Sequence, residues 1–155
     1  MSDTPTCVYV NYIAGTPEQV WHALTDAERT AEYWGHSNVS DWQVGSAWEH
    51  RRMDGTGRAD VVGTVVESVA PTRLVTTWSD PGGGEGATSA SLVSFDVEPY
   101  GKIVRLTVAH ANLEDSADHA EAAAGWAAVL SNLKSLTETG HALPETPWEM
   151  PRWSG

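Results

Sequence analysis

Apolar positions change period along the chain, and each change marks an element. Residues 7–15, CVYVNYIAG, are rich in β-branched and aromatic side chains and end at a glycine, which predicts a first strand. Helical spacing follows. Thr16 stands as an N-cap, Pro17 suits the first helical position, Gln19 completes a capping box, and Val20, Trp21 and Leu24 supply one buried side. DAERTAEYWG, residues 26–35, predicts a second short helix capped by Asp26 and ended by Gly35. From there to about residue 112 the period is two, broken by turn chemistry at 44–46, 54–57, 70–72, 80–86 and 99–101. The breaks predict a short strand ending near Val44, then strands over 47–53, 58–68, 73–79, 90–98 and 102–112. Short connections make consecutive strands antiparallel.

Helical spacing returns over about 116–138, with Gly140 as the stop. Within GWAAVLSNLKSLTETG, residues 125–140, Trp126, Val129, Leu130, Leu133 and Leu136 share one broad face, and Ser131, Asn132, Lys134, Ser135 and Glu138 turn mostly away. The consecutive strands lack crossover helices, which excludes a doubly wound sheet and leaves an α+β class. The antiparallel sheet needs a cover for its apolar face, and only the last helix is long enough to provide it. Alternation aims Trp48 and His50, Leu74, Thr76 and Trp78, Val93, Phe95 and Val97, and Val104, Leu106, Val108 and His110 at that helix. Arg52 shares the parity of His50, which would let it hold an anionic group, but a solvent-facing arginine at the strand end is the favoured expectation.

The length of 155 residues predicts one domain, residues 1–140, followed by a proline- and tryptophan-containing tail, 141–155. Nine basic against 21 acidic side chains give a net charge of -12, which argues against nucleic acid and anionic membranes as partners. Cys7 is the only cysteine and the start of the chain carries neither a basic nor an apolar leader segment, so a cytoplasmic location is expected. No apolar run reaches membrane-spanning length. Eight tryptophans stand against one phenylalanine. Each buried indole brings an N–H that wants a partner, so this usage favours a partly polar, ring-lined space over a plain hydrocarbon core.

TPEQVWHALTDAERTAEYWG, DWQVGSAWEHR, GTVVESVAPTRLVTTWS and GWAAVLSNLKSLTETG resemble, in that order, the motifs of the activator of heat-shock protein 90 ATPase homologue family, part of the START-like SRPBCC superfamily. The resemblance spans about residues 8–140 and is most specific in the last helix. It implies a helix-grip fold, a seven-stranded sheet curled around the C-terminal helix, with a cavity between them that takes an apolar or aromatic small molecule. The eukaryotic chaperone activator is similar to this chain in its C-terminal domain only, and its separate N-terminal domain, which holds much of the chaperone contact, has no counterpart in these residues. A chaperone is therefore a weaker expectation than a small molecule.

The expected ligand-lining residues are Trp48, His50, Trp78, Phe95, Leu106, His110, Trp126, Val129, Leu130 and Leu133. His50 and His110 are either ligand-orienting groups or histidines satisfied within the core. Six histidines occur, but none has metal-ligand spacing and no CxxC is present, so no metal or cofactor is expected. No GxSxG elbow or phosphate loop occurs, the glycine-rich stretch 81–89 reads as a hairpin tip or lid, and no catalytic residue is assigned. Ligand binding leads. A cyclase- or dehydratase-like enzyme using the same cavity and a protein-interaction module stay open beside it. Trp148, Met150 and Trp153 give the tail the means to strap onto its own domain or a second copy of the chain.

Overall fold

The computed structural model describes residues 6–79, 81, 91–111 and 116–151, with the side chains of 116–123 excepted. The elements run β1 (Cys7–Ala14), α1 (Pro17–Thr25), α2 (Ala27–Trp34), β2 (His36–Val39), β3 (Ala47–Arg52), β4 (Ala59–Val69), β5 (Arg73–Trp78), β6 (Ser91–Tyr100), β7 (Ile103–Ala111) and α3 (Ser116–Thr139), with a 3₁₀ turn at Pro147–Glu149. The strands form one seven-stranded sheet in the order β1-β7-β6-β5-β4-β3-β2, every neighbouring pair antiparallel. The α+β class expected from the pattern and the helix-grip architecture implied by the resemblance are both present. The glycine-rich stretch, Asn112 and Trp153 lie outside the described residues.

Local chemistry sets the helix ends. The Gln19 amide donates to Thr16 Oγ1 at 3.2 Å while Gln19 Oε1 accepts from the Thr16 amide at 2.9 Å, closing the capping box of α1. The Asp26 carboxylate accepts from the Arg29 amide at 3.1 Å and starts α2. Gly35 ends it at φ +75°, where any Cβ would also lie 3.2 Å from the Trp148 ring.

The concave face of the sheet receives α3. Trp126, Val129, Leu130, Leu133 and Leu136 are buried there against Ile13, Val93, Phe95, Val97, Val104, Leu106 and Val108. The helix also serves the sheet's edge: Asn11 Nδ2 donates to Leu130 O at 2.9 Å, the Ala14 amide donates to Glu138 Oε2 at 2.8 Å, and Lys134 Nζ donates to Tyr12 O. Glu138 and Lys134 of α3 thus satisfy backbone groups that an edge strand would otherwise leave open, while Asn11 ties the strand back to the helix backbone.

Three expectations change. The short strand ends at Val39 rather than near Val44, because Ser40 and Asp41 draw the following amides into side-chain-bonded turns: Trp42 N to Ser40 Oγ at 3.0 Å and Gln43 N to Asp41 Oδ1 at 2.9 Å. Asn132, expected to face away, is 2% exposed. Its amide donates to Tyr33 O at 2.9 Å and accepts from the Leu143 amide at 2.6 Å, so it joins the end of α2 to the chain beyond α3. β6 runs on through Pro99 to Tyr100, two residues past its expected end at 98.

Candidate functional site

Toward the β2 edge of the sheet, over β3 and β5 on either side of β4, the concave face is built from rings. Alternation along β3 turns Trp48 and His50 inward, and along β5 it turns Leu74, Thr76 and Trp78 the same way. His110 from β7 and Trp126 from α3 arrive from the other side, and Trp34, the last residue of α2, closes the group. Trp78 is its hub, with ring centroids 5.4 Å from Trp48, 5.4 Å from Trp126, 5.5 Å from His110, 5.9 Å from Trp34 and 6.0 Å from His50. Phe95 meets Trp126 edge-on at 5.8 Å. Tilted and edge-to-face contacts at these separations are the favourable geometries of aromatic packing.

Most indole N–H groups are internally paired. Trp126 donates to His110 Nδ1 at 3.1 Å, which places the His110 proton on Nε2, 2.9 Å from Ser91 Oγ. Trp78 donates to Thr76 Oγ1 at 3.2 Å. Trp48 reaches across β4 to Thr77 O on β5 at 2.8 Å. That crossing requires Gly63, since a Cβ there would fall 1.8 Å from the same carbonyl oxygen and 2.5 Å from the indole nitrogen. Trp34 and Trp78 are half-buried.

His50 sits beside this array with a different set of bonds. Asn38, its register partner on β2, offers Oδ1 to His50 Nδ1 at 2.6 Å. The proton therefore lies on Nδ1, and Nε2 carries a lone pair with no hydrogen bond among the described residues. His36 stacks on His50 with centroids 4.1 Å apart and planes within 4°, and Trp34 meets it edge-on at 4.9 Å. His36 Nε2 lies 2.8 Å from Asp60, whose other oxygen holds Arg52 Nε at 2.8 Å. The His36 and Arg52 hydrogen bonds keep the Asp60 carboxyl below its ordinary range. Burial, then the neighbouring His36, pushes His50 down to about 3, and burial pushes His110 down to about 4. Both imidazoles are neutral at physiological pH.

The expected lining divides accordingly. Trp48, His50, Trp78, Phe95, His110 and Trp126 come together as rings, while Leu106, Val129, Leu130 and Leu133 lie in the aliphatic part of the same core. Arg52 pairs with Asp60 at the solvent end of β3, as its place at the end of the strand suggested and against the parity it shares with His50. Sequence reading missed Trp34, His36, Asn38 and Asp60. The register of β2 against β3 is the signal that pairs Asn38 with His50, and it becomes visible only once β2 is placed at His36–Val39. Among the described residues no cluster of His, Cys, Asp and Glu suits a metal ion, and no helix is long and apolar enough to cross a membrane.

Two other surfaces stand out. A groove of about 650 Å³ lies away from the rings, around Thr72, Arg73, Asp96, Glu98, Pro99 and Thr107. Its charges are already matched, Arg73 to Asp96 at 2.6 Å and Glu98 to Arg105 at 2.8 Å. The outward row of β1, Val8, Val10 and Tyr12, is 58%, 49% and 54% exposed.

A family model described as activator of Hsp90 ATPase homolog 1-like protein matches residues 14–138. Among solved structures, the chain is similar to CalU16 from Micromonospora echinospora, with 20% identity, a TM-score of 0.73, and coverage of 92% of this chain and 80% of that one. It is also similar to the Aha1 dimer from Colwellia psychrerythraea, with 22% identity, a TM-score of 0.72, and coverage of 88% and 98%. An Hsp90 activator from Plasmodium falciparum matches at 19% identity and a TM-score of 0.63, covering 78% of this chain and 86% of that one. A search of curated protein sequences gave no match.

Proposed function

Since the chain belongs to the activator of Hsp90 ATPase homolog 1-like family, and shares the helix-grip fold with relatives of differing description, we propose that it binds a small aromatic molecule against the ring array between sheet and α3. Fold alone hosts many functions, so the reading rests on the site. One observation carries it: four tryptophans and two neutral histidines converge on the concave face, two of the indoles half-buried. Such a group combines broad apolar contact with a few placed polar atoms, the composition of small-molecule sites. Trp34 and Trp78 are the rings that a ligand would meet first. A protein-contact role has its own support in the exposed row Val8, Val10 and Tyr12 and in the dimeric state of the Colwellia relative.

One experiment separates these readings. Thermal unfolding is followed against a panel of neutral aromatic, polyketide-like and fatty compounds, alongside the elution volume of the free chain. A binder at a hundred times its dissociation constant adds about 2.7 kcal/mol of stability, a shift on the order of 5 °C for a domain of this size. A shift from the aromatic members alone supports the proposal. A chain that responds to none of them and elutes as a dimer overturns it in favour of protein contact.

A further inference from the structure

The donors and acceptors of the ring array are not evenly spent, and the imbalance specifies a ligand chemistry. The N–H groups of Trp48, Trp78 and Trp126 and the Nε2–H of His110 are committed to partners within the fold, which leaves the Trp34 N–H as the one donor of the array with no hydrogen bond among the described residues. A carboxylate arriving there would lose its water and find a single neutral donor, the Trp34 N–H, in exchange. His50 is the converse case. With Nδ1 donating to Asn38 at 2.6 Å, its Nε2 is an acceptor held rigidly among Trp34, Trp48, Trp78 and the stacked His36.

We infer that the site selects neutral hydroxylated aromatics, whose O–H donates to His50 Nε2 while the ring packs on the tryptophans, and that it discriminates against aromatic carboxylates. This inference rests on the ligand-binding reading above and adds the functional group. Two further features point the same way. Arg52, which shares the parity of His50 on β3, is already paired to the Asp60 carboxylate at 2.8 Å. Burial keeps the His50 ring neutral, so it cannot attract a carboxylate as an imidazolium would.

The test is a matched series on the unaltered protein: naphthol, its methyl ether and the corresponding naphthoate, with affinities from calorimetry at neutral pH. Naphthol is expected to bind about tenfold more tightly than the ether, the value of one buried hydrogen bond made or lost, and naphthoate no more tightly than the ether. His50→Phe is expected to bring naphthol down to the ether's affinity while the ether still binds. Equal binding of naphthol and ether, or tightest binding by naphthoate, overturns the inference and leaves aromatic binding standing. Binding by none of the three overturns both. The series on the unaltered chain decides the matter even if His50→Phe does not fold.

Discussion

The two ends of the ring array use the same residue types for opposite purposes. At the β7 end, His110 accepts from Trp126 and faces Ser91 with its other nitrogen, so both ring nitrogens are committed. At the β2 end, His50 commits only Nδ1, to Asn38. The first arrangement knits α3 to the sheet; the second leaves an acceptor lone pair among indoles. A buried histidine is thus not informative by type or burial, since these two are 7% and 6% exposed. What differs is how many of its nitrogens the fold has already used.

The contrast can be broken most forcefully at Trp126. Trp126→Ala removes a buried indole and strands His110 Nδ1, and should cost about 3–5 kcal/mol in urea unfolding. A loss below about 1 kcal/mol would mean that the β7 end is not the knitted one. His110→Leu should cost about 1–3 kcal/mol, because the Trp126 N–H and Ser91 hydroxyl lose their partner. That variant should keep the preference for naphthol over its ether, and a lost preference would move the selecting group from His50 to His110.

Acid titration sharpens the comparison further, with a smaller effect. Folded His50 and His110 titrate near 3 and near 4, below the ordinary value of 6.5. Well above pH 6.5 neither state binds these protons and they leave stability unchanged. As pH falls below 6.5 the unfolded chain takes up protons that the folded one refuses, so stability declines until the folded value is reached. Each histidine contributes at most about 1.4 kcal/mol per pH unit to that decline. Urea midpoints measured between about pH 7.5 and pH 5 should therefore fall less steeply in His110→Leu and in His50→Phe than in the parent chain. An unchanged slope in either variant would show that the missing ring was not held neutral.

What the sequence disclosed follows the range over which its signals act. Side-chain parity is a property of neighbours, and it correctly turned Trp48, His50, Trp78 and His110 inward. Helical spacing likewise found the buried face of α3. Parity says nothing about which strand lies alongside, so Asn38 opposite His50 and Asp60 beside His36 were not readable. Asn132 was misjudged for a related reason. A polar residue at the margin of an apolar stripe faces inward when a neighbouring element offers both a carbonyl and an amide, and Tyr33 and Leu143 do so from opposite ends of the chain. Trp34 escaped notice because its role depends on where α2 points once Gly35 has ended it.

The hub position of Trp78 has an optical consequence. Indoles whose centres lie 5.4 to 5.9 Å apart do not absorb and emit independently. Their excited states mix, and the chiral arrangement of Trp34, Trp48, Trp78 and Trp126 writes that mixing into the near-ultraviolet circular dichroism. Any molecule that parts Trp34 from Trp78 must alter the coupled signal, and unfolding must abolish it. The protein thus carries an intrinsic gauge of the distance between its own rings, readable without label or tag.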